Sequence, residues 1–148
     1  MRHLLRLVPF VLGLGLACAP TESDYVGDFI SASDSARREI CECDYDNLLF
    51  SAFVGGPFGS AEECSAAYGF SSAERGCIEG LFVDEATDYS AVLDCRSDVA
   101  GRASTCLNSK TCTDTARSEC VDDYFDEYED CPTLPADVEQ KLGDCLNN

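Results

Sequence analysis

Eleven cysteines and twenty-eight carboxylates are the residues of this 148-residue chain that have chemistry to offer. Histidine occurs once, at His3. It is the usual proton shuttle of nucleophilic catalysis and a common zinc ligand. Without an imidazole later in the chain, neither a Ser-His-Asp nor a Cys-His site can be assembled. The histidine-free options are also missing. Leu107 and Val138 stand three residues before Lys110 and Lys141, so there is no Ser-x-x-Lys dyad. Asp34-Ser35-Ala36 and Asp114-Thr115-Ala116 lack the glycine of an aspartic-protease loop. Carboxylate pairs for glycoside hydrolysis are available among so many acids, but tryptophan, a common sugar platform, is absent. The expectation is a protein that is not an enzyme and uses no cofactor.

Metal sites are tested the same way. No Cys-x-x-Cys pair occurs, so the cysteines read as a disulfide framework rather than a zinc site. Asp44-Tyr45-Asp46-Asn47 opens like a calcium loop, then runs into Leu48, Leu49 and Phe50 with no glycine sixth and no glutamate twelfth. Asp122 to Asp130 is the densest acidic run. Its aromatic residues recur at helical spacing, so its acids read as a solvated outer face, with weak divalent-cation binding as the alternative.

The N-terminal stretch places these residues in a compartment. Met1 to Arg6 carries Arg2 and Arg6 and no acid, and Leu7 to Ala17 is apolar. That is the charged and apolar sequence of a signal peptide, too short for a spanning helix of about 20 residues. Gly15-Leu16-Ala17 suits ordinary cleavage. Leu14-Gly15-Leu16-Ala17-Cys18 also resembles the lipobox of bacterial lipoproteins, although Gly15 stands where leucine is usual. The resemblance implies lipidation of Cys18 as residue one of the mature chain, with plain secretion as the alternative. Cysteine parity agrees with lipidation, since removing Cys18 from eleven leaves ten that can pair: Cys41, Cys43, Cys64, Cys77, Cys95, Cys106, Cys112, Cys120, Cys131 and Cys145. Overall the chain resembles small, acidic, cysteine-rich lipoproteins of Gram-negative bacteria of uncharacterised function. That resemblance implies a membrane anchor in the cell envelope, on the outer membrane.

The expected organisation is a signal peptide over 1–17, the lipidated cysteine and a tether over 18–23, and one disulfide-rich domain over 24–148. Past the leader, eight cations face twenty-eight carboxylates, a net charge of −20. Nucleic acid and anionic membrane surfaces are excluded as partners by that sign. The fold class is all-α, a small disulfide-stapled bundle of about five or six helices, because apolar residues recur at three and four and no run alternates. The first helix is expected from Ser23 or Asp24, with Val26, Phe29, Ile30, Ser33, Arg37, Ile40 and Cys41 on one side. Ser60 with Glu63 predicts a capping box. Ser71 or Ser72 opens a helix bearing Cys77, Ile78, Leu81 and Phe82. Asp84 or Thr87 opens one that runs to about Leu107. A fifth is expected over Thr113 to Asp130, and a last one after Pro135.

Cys95 and Cys106, like Cys120 and Cys131, are eleven apart. Eleven residues return to nearly the same helix face about 16 Å along. Two antiparallel helices can then be stapled twice, Cys95 to Cys131 and Cys106 to Cys120, by a logic similar to twin Cys-x9-Cys hairpins. A local Cys106–Cys112 bridge is the competing arrangement. Leu48, Leu49, Phe50, Phe53, Val54 and Phe58, flanking glycines, are the candidate surface for a protein partner or ligand. The functional expectation is a non-catalytic surface or protein-interaction module. The alternative is a carrier of a small apolar ligand within the bundle.

Overall fold

A computed structural model describes residues 20–45, 57–83 and 87–146. Among these residues the fold is all-α, with six helices: α1 (Glu22–Asp44), α2 (Ala61–Tyr68), α3 (Ser72–Val83), α4 (Ser90–Asn108), α5 (Ala116–Glu129) and α6 (Ala136–Leu146).

Short polar side chains fix where the helices start. Thr21 caps α1, its N–H and hydroxyl both donating to the Asp24 carboxylate at 2.7 Å. The cap therefore falls before Ser23 and Asp24, the residues expected to open the helix, and Asp24 serves as the acid of the first turn. Those bonds hold the Asp24 carboxyl below its usual range. Ser60 accepts from the Glu63 N–H, and Glu63 reaches back one residue past Ser60 to the Gly59 N–H. Ser71 and Glu74 form the complete reciprocal box. Two starts come later than the sequence suggests. Asp88 accepts from the Ser90 N–H, and Asp114 from the Ala116 N–H. Each is a local Asx arrangement that competes with helix and delays it.

Among the described residues the long helices α1 and α4 make the most extensive contact, and they run parallel. At their N-terminal ends the Glu22 carboxylate accepts from the Tyr89 N–H. Towards their C-terminal ends Arg117 bonds the carbonyls of both Glu39 and Leu107. Helix α5 returns antiparallel along α4, α2 and α3 pack on α1, and α6 closes against α3. Two apolar clusters result. One joins Val26, Phe29 and Ile30 to Phe82, Leu93, Val138 and Leu142. The other joins Ala36, Ile40 and Cys41 to Val99, Leu107, Cys120 and Tyr124.

Five disulfides lock the arrangement: Cys41–Cys64, Cys43–Cys112, Cys77–Cys145, Cys95–Cys131 and Cys106–Cys120. The α4–α5 pair thus carries the double staple that its spacing allows. The competing Cys106–Cys112 bridge does not form, because Cys112 ties the α4–α5 connection to the end of α1. Among the described residues no helix is long and apolar enough to cross a membrane.

Candidate functional site

Between the two apolar clusters lies a polar layer. On α1 it holds Ser33 and Asp34, flanked by Ile30 and Ala36; on α4 it holds Arg96, flanked by Leu93 and Val99. Asp34 is buried and takes three donors: the Phe70 N–H at 3.0 Å, Arg75 at 2.8 Å and Arg38 at 3.0 Å. This ties the α2–α3 connection to the middle of α1. Gly69 sits in the same corner, where a Cβ would stand 2.7 Å from the Ser65 carbonyl and 3.3 Å from Asp34 Oδ1. Only a residue without that atom allows the approach. Arg37 donates to the carbonyl of Tyr68, the last residue of α2, and its guanidinium lies 4.6 Å from the Tyr68 ring centroid and 4.0 Å from that of Phe70.

Arg117 is buried at the start of α5. It pairs with Asp44 at 2.9 Å and donates to the carbonyls of Leu107 and Glu39. Arg102 pairs with Glu127 across the exposed side of α4 and α5. With Arg96 on Glu139, every arginine among the described residues is held by an acid or carbonyl of its own chain. Few of these were expected from sequence. A helical arginine ordinarily reads as solvated, yet Arg96 and Arg117 fall on the apolar stripes of their helices, three before Val99 and three before Cys120, and that was the available signal.

Tyr124 is buried in the second apolar cluster, and Tyr68 and Tyr128 pack half-buried against it. Burial pushes the hydroxyls of Tyr68, Tyr124 and Tyr128 up from their ordinary value, in each case against nearby arginines that pull the other way. Tyr124 is the most strongly affected, because Tyr68 and Tyr128 add repulsion between phenolates.

Two larger hollows open on the surface. One, of about 720 Å³, follows the α1–α4 seam and is walled by small or acidic side chains such as Asp28, Ala32, Ser97, Asp98 and Gly101. The other, of about 680 Å³, lies where α4, α5, α6 and the 131–135 connection meet. Its wall is mainly apolar, with Leu134, Ala136, Cys131 and the Tyr128 ring around Arg96.

Cys18, Leu48, Leu49, Phe50, Phe53 and Val54 lie outside the described residues. Phe58 is half-buried, packs against the second apolar cluster, and donates its N–H to the Tyr45 carbonyl at 3.1 Å. Its ring therefore does not form the exposed surface expected of it. Among the described residues Val83 is the exposed large hydrophobic side chain. The acids of 122–130 face solvent on α5 while Tyr124 turns inward. Among the described residues no group of three metal-binding side chains converges. Asp44, from the calcium-like opening, is the partner of Arg117. Comparison with protein-family models, curated proteins and solved structures returns no match.

Proposed function

We propose that this chain is an exported, lipid-anchored module of the bacterial cell envelope, on the outer membrane, that performs no catalysis and meets protein partners through an acidic surface. One observation carries the reading. The five disulfides account for ten cysteines, and Cys18, at the end of the apolar leader, is the eleventh. Disulfides on this scale belong to an oxidising compartment. An exported chain with one cysteine left over needs a use for it, and thioether lipidation at a lipobox supplies one. The acidic surface is supported by the arginines. They are held by internal acids and carbonyls, so the field outside the molecule comes mostly from carboxylates.

Intact-mass analysis of the native protein extracted from membranes tests this. The expected species begins at Cys18, carries acyl mass, and lacks ten thiol hydrogens. A species of unacylated mass beginning at Cys18, recovered from the soluble fraction, would remove the anchor and leave a plainly secreted protein.

A second reading, a carrier of a small apolar ligand, is favoured by the apolar hollow around Leu134 and Tyr128, whose volume falls within the range of small-molecule sites.

A further inference from the structure

Unlike the α1–α4 seam, the hollow beside α6 has a mainly apolar wall and is lined by a buried guanidinium whose Nε–H, itself closed off from solvent, has no partner. Arg96 is 6% exposed. Its Nη2 donates to both oxygens of Glu139, at 3.2 and 3.4 Å, while its Nε–H has no partner. Nε and Nη2 share one edge of the guanidinium, the edge that a carboxylate normally bridges with two parallel bonds. Glu139 uses one prong of that fork and leaves the other empty. A buried donor without an acceptor is costly, so the present partner is a poor fit to a site made for two oxygens.

Glu139 is also easily displaced. Its side chain is 50% exposed, so it can return to water at little cost. The Tyr128 ring centroid lies 4.8 Å from the Arg96 guanidinium carbon, and the Tyr128 hydroxyl also interacts with that side chain. Leu134, Ala136 and the Cys95–Cys131 bridge supply the apolar wall.

The geometry points to a binding site for a small carboxylic acid with an apolar body. Its carboxylate bridges Nε and Nη2 of Arg96 in place of Glu139, and its body lies on Leu134, Ala136 and Cys131. The inference rests on the carrier reading and names its ligand class. It does not depend on the lipid anchor. The side chain of Glu139 acts as a resident stand-in, keeping the guanidinium neutralised when no ligand is bound.

The test is titration of the oxidised protein with sodium decanoate, decanol and decylammonium, followed by amide and arginine Nε–H chemical shifts. Decanoate is expected to shift the Arg96 Nε–H together with the amides of Cys131, Leu134 and Ala136. Decanol should bind at least tenfold more weakly, and decylammonium should leave the Arg96 signal unmoved. Glu139→Gln removes the competing charge while keeping an acceptor, and it should tighten decanoate roughly tenfold. Ala136→Trp, at an exposed position, fills the hollow and should abolish binding, which keeps the test decisive if the first variant folds poorly. Decanol binding as tightly as decanoate would overturn the role of Arg96 and leave a carrier of neutral apolar molecules standing. Failure of both to bind, or shifts confined to another face, would overturn site and carrier together.

Discussion

None of the six helices carries a lysine or arginine in its last turn, so the negative ends of the α1 and α4 dipoles depend on a residue from elsewhere. Arg117 supplies it, donating to a carbonyl near the C-terminal end of each helix and to Asp44. Because the side chain is only 4% exposed, removing it leaves the partly buried Asp44 carboxylate unpaired and takes one donor from each carbonyl, although Leu107 still accepts from the Lys110 N–H. Arg117→Leu is expected to cost about 1–3 kcal/mol in urea unfolding, the range for removing a buried hydrogen-bonding partner. Arg117→Lys should recover less than half of that, since one ammonium cannot span three acceptors at fixed angles. The tyrosines give a second residue-scale test. The folded state holds Tyr68, Tyr124 and Tyr128 above the ordinary value of 10.0, so the unfolded chain releases those protons first. Their contribution to stability is complete below pH 10 and is lost as pH rises beyond it. In an alkaline titration followed by phenolate absorbance, the buried Tyr124 should ionise only as the protein unfolds, and Tyr68 and Tyr128 should ionise above pH 10. Ionisation of Tyr124 near pH 10 in the folded protein would contradict its burial.

At the scale of helices, the disulfides differ in what they constrain. Cys106–Cys120 closes a loop of 14 residues between adjacent helices, whereas Cys43–Cys112 spans 69 and Cys77–Cys145 spans 68. If cross-links act mainly by restricting the unfolded chain, the longer loop is worth more by about 1.4 kcal/mol. Replacing Cys43 and Cys112 together by serine should therefore lower stability more than replacing Cys106 and Cys120, measured as the shift in urea midpoint at constant m-value. The same contrast explains what was legible beforehand. Cys95–Cys131 and Cys106–Cys120 join helices whose internal spacing puts both cysteines on one face, so periodicity reaches them. Cys41–Cys64, Cys43–Cys112 and Cys77–Cys145 join elements whose meeting depends on how α2, α3 and α6 pack around α1, which no local spacing encodes. The late starts of α4 and α5 are not encoded by periodicity for a related reason. Asp88 and Asp114 read as residues at or inside a helix start, and only the placed side chain shows each bonding the N–H two residues on. The guanidinium layer was half legible. Ser33 and Arg37 sit on the apolar stripe of α1, as Arg96 and Arg117 do on theirs, but a stripe cannot say that an arginine found its acid on another helix.

For the whole molecule the balance lies between self-repulsion and cross-links. The full chain carries −18 at pH 7, and the loss of Arg2 and Arg6 with a leader would make it more negative. The arginines that offset this charge point inward or are already paired, so the exposed acids repel one another through solvent. Such exposed charges are screened by salt far more than buried pairs are. The Debye length falls from about 30 Å at 0.01 M to about 10 Å at 0.1 M. Two outcomes are therefore opposed in sign. If ion pairs such as Arg102–Glu127 dominated the electrostatic contribution, added sodium chloride would lower the melting temperature. Because Arg102 and Glu127 are both about half exposed and such pairs contribute little, repulsion should win. The melting temperature should rise by several degrees between 0.01 and 0.2 M salt, most of it below 0.1 M. The effect should be larger after reduction. Without its five cross-links the chain loses about 2–4 kcal/mol for each bond, and repulsion then expands an ensemble that nothing covalent confines. A reduced protein that melts at the same temperature at both salt concentrations would show that packing alone, rather than packing held by disulfides against charge, maintains the fold.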